Sequence, residues 1–308
     1  MLDARSFTYA TPDLPLLHKS FIYTVEAATG RTKLWRLYEQ YRREPRRADE
    51  TFWDAAIRKL ALRVAYDAAK LDTVPRTGPL VVISNHPFGV LDGIVIGHVV
   101  SKARRDFRVL TTSVLYRAPE ANPWLLPIDF SGGEEAMRIN LETRKRARDL
   151  LRRGGCVIVF PAGGVSSIAR WRDTIAQDRL WQPFIARLIQ EAEATVVPCF
   201  FEGQNSRLFQ YASLVSPVLR LSLFFKETIA RMGDEIRLRI GDPIPFAALA
   251  HLKDRAALAD FLRRTTYALG ELTQLPPPLP AFRIDPSAAR GRMGEGLTFR
   301  LVKAVQSY

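Results

Sequence analysis

Only two cysteines and four histidines occur in 308 residues. Cys156 and Cys199 both lie inside apolar runs, with no CxxC or Cys/His spacing, which speaks against a metal site and for buried thiols in a reducing compartment. No apolar run approaches the roughly 20 residues that cross a bilayer. The N-terminal stretch MLDARSFTYATPDLPLL lacks a basic segment followed by a continuous apolar one, so no signal peptide is expected. There is no internal repeat. No Lys-Ser/Thr follows the glycine pair at 163–164, so there is no phosphate-binding P-loop, and Ile168 stands where a Gly-x-Ser-x-Gly elbow requires its second glycine. No helix-turn-helix, zinc finger or aromatic RNA-binding motif is found, so a nucleic-acid partner is not expected.

What is abundant is positive charge. Against 32 Asp and Glu stand 45 Lys and Arg, a formal net charge of +13. Such an excess points to a polyanionic partner, whether nucleic acid, an anionic membrane surface or an acidic carrier protein, and charge alone does not choose among them. Hydrophobic residues make up 47% of the chain, enough for a large core.

Along the chain, residues 1–74 read as an irregular arm followed by two basic amphipathic helices, 31–43 and 51–70, suited either to a membrane interface or to packing on the core. Residues 75–272 then alternate short apolar runs with helical segments. The expected strands are 79–84, 107–112, 156–160, 195–200 and 235–241; the expected helices lie near 90–100, 134–153, 181–193, 217–231 and 254–271. Strands apolar throughout are those covered on both faces. The sequence therefore predicts an α/β fold with a mainly parallel central sheet flanked by helices and an N-terminal basic helical pair. Residues 273–308 read as a Pro-rich linker and tail, ending in an amphipathic stretch at 297–305.

In such sheets, sites form beyond the carboxyl ends of strands. The first strand is followed by Asn85, His86, Pro87, Phe88, Gly89, Val90, Leu91 and Asp92. A histidine there can move a proton near neutral pH, and a carboxylate across one bend can hold its other nitrogen. The third strand ends at Phe160 and is followed by Pro161, Ala162, Gly163, Gly164, Val165, Ser166 and Ser167, whose glycines let backbone amides approach a ligand. After the fourth, Glu202, Asn205 and Arg207 stand among phenylalanines, and could line an amphiphilic pocket. The run Arg144, Lys145, Arg146, Arg148, Arg152, Arg153 is a candidate membrane or carrier patch.

The ordered blocks NHPFGVLDG, LPIDF, FPAGGVSS and VVPCFFEGQNSRLF resemble those of the lysophospholipid acyltransferase superfamily over roughly residues 75–245. The usual first block separates His from Asp by four residues; here five intervene. That spacing is similar to the branch containing hemolysin-like proteins and bacterial O-acyltransferases of ornithine-lipid and related aminolipid synthesis. The resemblance implies acyl transfer from acyl carrier protein or acyl-CoA to the hydroxyl of a lyso-lipid, with His86 as general base and Asp92 orienting it. It implies no cofactor and no metal, and a peripheral place on the cytoplasmic face of a bacterial inner membrane. Members with phosphate acceptors usually have FPEGTRS in the later block and an arginine after the aspartate of LPIDF. Here Ala162, Gly164 and Val165 replace Glu, Thr and Arg, and Phe130 follows Asp129. The lost arginines favour a lyso-aminolipid such as lyso-ornithine lipid over 1-acylglycerol 3-phosphate, and a non-catalytic membrane-binding protein is the third possibility. Asn85, Gly89, Asp129, Phe160, Pro161, Gly163, Gly164, Ser166, Glu202, Asn205 and Arg207 are the candidate acceptor contacts.

Overall fold

The computed structural model describes residues 7–10, 14–45, 47–112, 118–129 and 133–272. The expected linker, tail and amphipathic stretch at 273–308 lie outside these residues, as does Phe130.

Seven strands form one sheet in the order β1-β7-β6-β2-β5-β3-β4. They are β1 (Arg63–Ala65), β2 (Leu80–Ser84), β3 (Phe107–Thr112), β4 (Leu125–Ile128), β5 (Cys156–Val159), β6 (Thr195–Phe201) and β7 (Glu235–Ile240). The five from β6 to β4 run parallel, while β7 pairs antiparallel with β6 and carries β1 parallel at its outer edge. Strands β2 and β5 are buried at every position, because helices cover both faces. The apolar-throughout expectation fails at β7, whose residues alternate between exposed and buried: it lies outside the doubly covered centre.

Two core clusters sandwich the sheet. One packs Val82, Ile158, Phe201 and Leu238 against Trp53, Ile57, Leu91 and Val95; the other packs Val81, Val157 and Val196 against Ile185, Leu188, Leu258 and Leu262. The residue alternation within each strand divides the clusters. Helices α5 (Val90–Ala103), α6 (Gly133–Arg152), α7 (Phe184–Ala192) and α12 (Arg255–Ala268) are the main covering elements.

Several elements depart from the sequence expectation. The arm before residue 31 contains α1 (Leu16–Thr29), which turns at Gly30 into α2 (Arg31–Arg43). The expected helix 51–70 is three elements: α3 (Phe52–Lys59), β1 and α4 (Ala68–Asp72). Its break is a left-handed helix end at Ala61 (φ 52°), closed by Leu62 N–H to Ile57 O at 3.0 Å and Ala61 N–H to Arg58 O at 3.1 Å. Alanine rather than glycine occupies that position, so the usual stop signal is missing. The boundary drawn at 74 thus leaves a strand of the central sheet on its N-terminal side. Residues 207–215 form α8 (Arg207–Val215), started by the Ser206 side chain accepting from Phe209 N–H. The expected helix 217–231 is α9 (Pro217–Ser222) and α10 (Phe224–Ala230). Ser222 Oγ donates to Leu219 O at the break, a back-bond that bends helices. The edge strand β4 tolerates Pro127 because one side of it is unpaired. A four-residue helix, α11 (Phe246–Leu249), completes the set.

Helix α2 packs on the core through buried Leu34, and its arginines are largely met by acids: Arg42 and Arg43 by Glu39, and Arg42 also by Glu120. On α3, Arg58 pairs with Glu44 and Glu50, and Lys59 with Glu44. Both cysteines are free and buried, and burial pushes the Cys199 thiol up to about 12. Among the described residues no helix is long and apolar enough to cross a membrane, and no cluster of acidic, His or Cys side chains could hold a metal ion.

Candidate active site

Strands β6, β2 and β5 are neighbours, so the three loops beyond their carboxyl ends meet at one edge of the sheet. His86 stands two residues past β2. The chain turns through Gly89 (φ 79°), a left-handed position that glycine adopts without strain, and enters α5. Asp92 in the first turn of α5 points back: its Oδ2 accepts Phe88 N–H at 2.8 Å and Gly89 N–H at 2.9 Å. A carboxylate capping amides at a helix start is favoured by the exposed donors there. That cap fixes the turn, and the turn brings His86 Nδ1 to 2.8 Å from the same Oδ2. The approach is of ion-pair length but off the line of a hydrogen bond, and Asp92 Oδ1 has no partner among the described residues. Asp92 is fully buried, and burial pushes its carboxyl up, partly opposed by the histidine and the two amides.

The His86 ring stacks on Phe160, centroids 4.2 Å apart, and its side chain keeps 19% of its surface. Nε2 makes no bond to the described residues. The ring therefore has one nitrogen at a buried carboxylate and the other available to a substrate proton, the arrangement general-base catalysis needs.

The loop after β5 is tied to this turn. Ser166 N–H donates to His86 O at 2.8 Å. Gly163 adopts φ 71°, and Val165 packs within 3.4 Å of where a side chain on Gly89 would begin. A buried carboxylate absent from the sequence expectation, Asp178, joins the two loops: its Oδ1 accepts His86 N–H at 3.2 Å and Ser166 Oγ–H at 2.6 Å, and its Oδ2 accepts Trp181 Nε1–H at 3.0 Å. Asp178 N–H in turn donates to the Tyr267 hydroxyl of α12 at 2.7 Å. Burial pushes Asp178 up as well. Its partners lie up to 92 residues away in sequence, so no local pattern could have marked it.

The expected acceptor contacts divide. Phe160, Gly163 and Gly164 are at the site, and Gly89 builds its turn. Pro161 is buried, with its carbonyl accepting Gln182 N–H, and Ser166 spends its hydroxyl on Asp178, so both shape the loop from behind. Asn85 extends the β2–β6 ladder with its side chain, donating to Phe201 O at 3.0 Å and accepting Phe201 N–H at 2.7 Å; its groups are used up in structure. Glu202 pairs with Arg239 of β7, and Arg207 is exposed, donating to Asp173 O. Asp129 follows the edge strand β4, three strands from β2, its backbone clamped by the Asn140 amide. Asn205 is the exception, 2% exposed with both polar side-chain atoms unpaired among the described residues, at a cost of about 1–3 kcal/mol that a polar ligand would relieve.

A family model described as Acyltransferase matches residues 39–274. A lyso-glycine lipid O-acyltransferase of Phocaeicola vulgatus is 27% identical over 208 residues, which cover 65% of this chain and 71% of that protein. One of the same name from Bacteroides thetaiotaomicron is 27% identical over 210 residues, covering 65% and 73%. The crystal structure of the 1-acyl-sn-glycerophosphate acyltransferase PlsC from Thermotoga maritima aligns with a TM-score of 0.44 and 14% identity, over 84% of this chain and 90% of that one.

Proposed function

The chain belongs to the acyltransferase family and is an enzyme that transfers acyl groups; from that premise we propose that it moves a fatty acyl chain from acyl carrier protein or coenzyme A to the hydroxyl of a lyso-aminolipid. The observation that carries this reading is His86, with Nδ1 at the buried Asp92 and Nε2 free at the mouth of three strand-end loops.

His86 Nε2 takes the proton of the acceptor hydroxyl as its oxygen attacks the thioester carbonyl. The imidazolium that forms faces Asp92, whose buried charge is stabilised by the positive ring. Collapse of the tetrahedral oxyanion breaks the C–S bond, and the departing thiolate takes the proton back, leaving an ester and a free carrier thiol. Supporting an aminolipid acceptor are the names of the two bacterial relatives and the absence of arginine at Val165. A glycine headgroup fits those names; ornithine is the larger variant of the same class. Peripheral attachment to the cytoplasmic face of the inner membrane is supported by Leu16 and Leu17 on α1, 80% and 84% exposed, by exposed Trp171, and by the basic surplus. The arginine-rich face of α6 suits an acidic carrier protein.

The test is a panel of lyso-glycine lipid, lyso-ornithine lipid and lysophosphatidic acid, each offered with both thioester donors. A lyso-aminolipid is expected to have the highest kcat/KM; preference for lysophosphatidic acid would overturn the acceptor class.

A further inference from the structure

Arg220 of α9 reaches into the loop after β5. Its Nη2 donates to Val165 O at 2.7 Å, lies 3.9 Å from where a side chain on Gly164 would begin, and its guanidinium carbon stands 5.8 Å from the centre of the Phe209 ring. Arg42 of α2 and Arg58 of α3 have glutamates; no carboxylate meets Arg220 among the described residues. Instead the charge that acts on it is another cation, half-buried Arg179, which follows Asp178 in the chain. Burial, and then repulsion from Arg179, push the Arg220 guanidinium down to about 10. Four residues before Phe209, the buried Asn205 side chain has no hydrogen-bond partner among the described residues.

This cation is linked through a single peptide unit to the backbone of the residue that carries the base. The Val165 carbonyl accepts from Arg220, and the amide on the other side of the same bond, Ser166 N–H, donates to His86 O. Nη2 therefore lies within about 8 Å of the His86 carbonyl. In an N-(3-hydroxyacyl) amino acid, six bonds separate the carboxyl carbon from the reacting oxygen, about 7 Å when extended. We propose that Arg220 receives the carboxylate of the acceptor's amino-acid headgroup, so that headgroup charge is read by an arginine of α9 and not by one of the strand-end loop. Four of the five guanidinium N–H donors remain after the bond to Val165, enough for a two-pronged carboxylate contact. The inference rests on the lyso-aminolipid reading of the acceptor.

The experiment measures the full-length protein with N-(3-hydroxyacyl)glycine and with its methyl ester, in the wild type, Arg220→Gln and Arg220→Lys, after circular dichroism and thermal melting show each folded. Wild type is expected to favour the acid. Arg220→Gln should raise KM for the acid about tenfold or more, with the loss carried by KM more than kcat, while KM for the ester and for the thioester donor stays put; Arg220→Lys should recover part of it. Equal effects on acid and ester, an effect on donor KM alone, or none overturns the assignment of Arg220 while the acceptor class stands. A wild type that acylates lysophosphatidic acid and neither glycine compound overturns the acceptor reading, and the carboxylate contact with it.

Discussion

Helix α5 is associated with two histidine–aspartate pairs, and their difference shows what makes such a pair chemical. His86 meets Asp92 in the first turn; His98, two turns further on, meets Asp54 of α3 at 2.6 Å. The imidazoles are about equally covered, 19% and 15% exposed, so burial of the ring does not separate them. The carboxylates do. Asp54 is 30% exposed and fully occupied: Oδ2 closes the capping box of α3 with Thr51, and Oδ1 takes His98. Its carboxyl is held below the usual range by those bonds to Thr51 and His98, against its burial. Asp92 is wholly buried, with one oxygen crowded and the other orphaned, and is pushed up. A satisfied carboxylate joins two helices; an under-satisfied one gains when its neighbour becomes positive, as a general base does during turnover.

The largest separation between the pairs is expected in turnover. His86→Ala should lower kcat on the order of 10²–10⁴-fold with folding unchanged, whereas His98→Ala should keep kcat within about twofold and cost about 1–2 kcal/mol of stability. Steady-state kinetics beside urea melts check both, and comparable losses of turnover would erase the distinction. The carboxylates should then diverge in sign. Asp92→Asn removes a buried charge while its amide oxygen still accepts from Phe88 and Gly89, so stability at pH 7 should hold within about 1 kcal/mol or rise as kcat collapses; Asp54→Ala loses the carboxylate half of the capping box and the contact with His98 and should cost about 1–2 kcal/mol.

The two glycines beside the pairs extend the test. Gly89→Ala forces a left-handed residue, at about 1–2 kcal/mol, against Phe224, and should lower kcat because the turn carries His86. Gly97→Ala would put its Cβ 2.5 Å from buried Trp53 and should cost about 1–3 kcal/mol with kcat retained.

The smallest expected effect is in pH dependence. His98 is held down, chiefly by burial, so the native state binds its proton less readily than the unfolded chain. Its contribution is complete above the unfolded value of about 6.5 and is lost as pH falls through the lower folded value. Asp92, raised, has the opposite sign: its contribution is present below about 3.9 and lost as pH rises through the folded value. Denaturation between pH 5 and 8 should show a shallower acid-side loss in His98→Gln than in wild type.

Only one of these pairs was legible in the sequence. His86 and Asp92 are six positions apart around a glycine bend, so the chain itself brings them together; His98 and Asp54 are 44 apart and meet because Gly97 lets Trp53 press α3 onto α5. The same contrast runs through the fold. The expected strand 107–112 matches β3 at both ends. The helix expected over 51–70 failed because its break at Ala61 is stabilised by a distant partner: Arg63, Val64 and Ala65 pair with β7, some 170 residues later. The antiparallel course of β7, the occupation of Asn85 by β6, and the positions of Asp178 and Arg220 depend on the same kind of distant contact.

By itself, then, the sequence determined the alternation of covered strands and helices, the turn that faces His86 with Asp92, and the glycine loop after β5. These rest on hydrophobic period and on backbone angles that glycine permits within a few residues. Tertiary structure alone decided which of the candidate groups are free. Asn85, Ser166, Glu202 and Arg207 are spent on partners, while among the described residues His86 Nε2, Asp92 Oδ1 and the Asn205 side chain have none. Whether a polar group is satisfied depends on every donor and acceptor folded against it, and those come from anywhere in the chain.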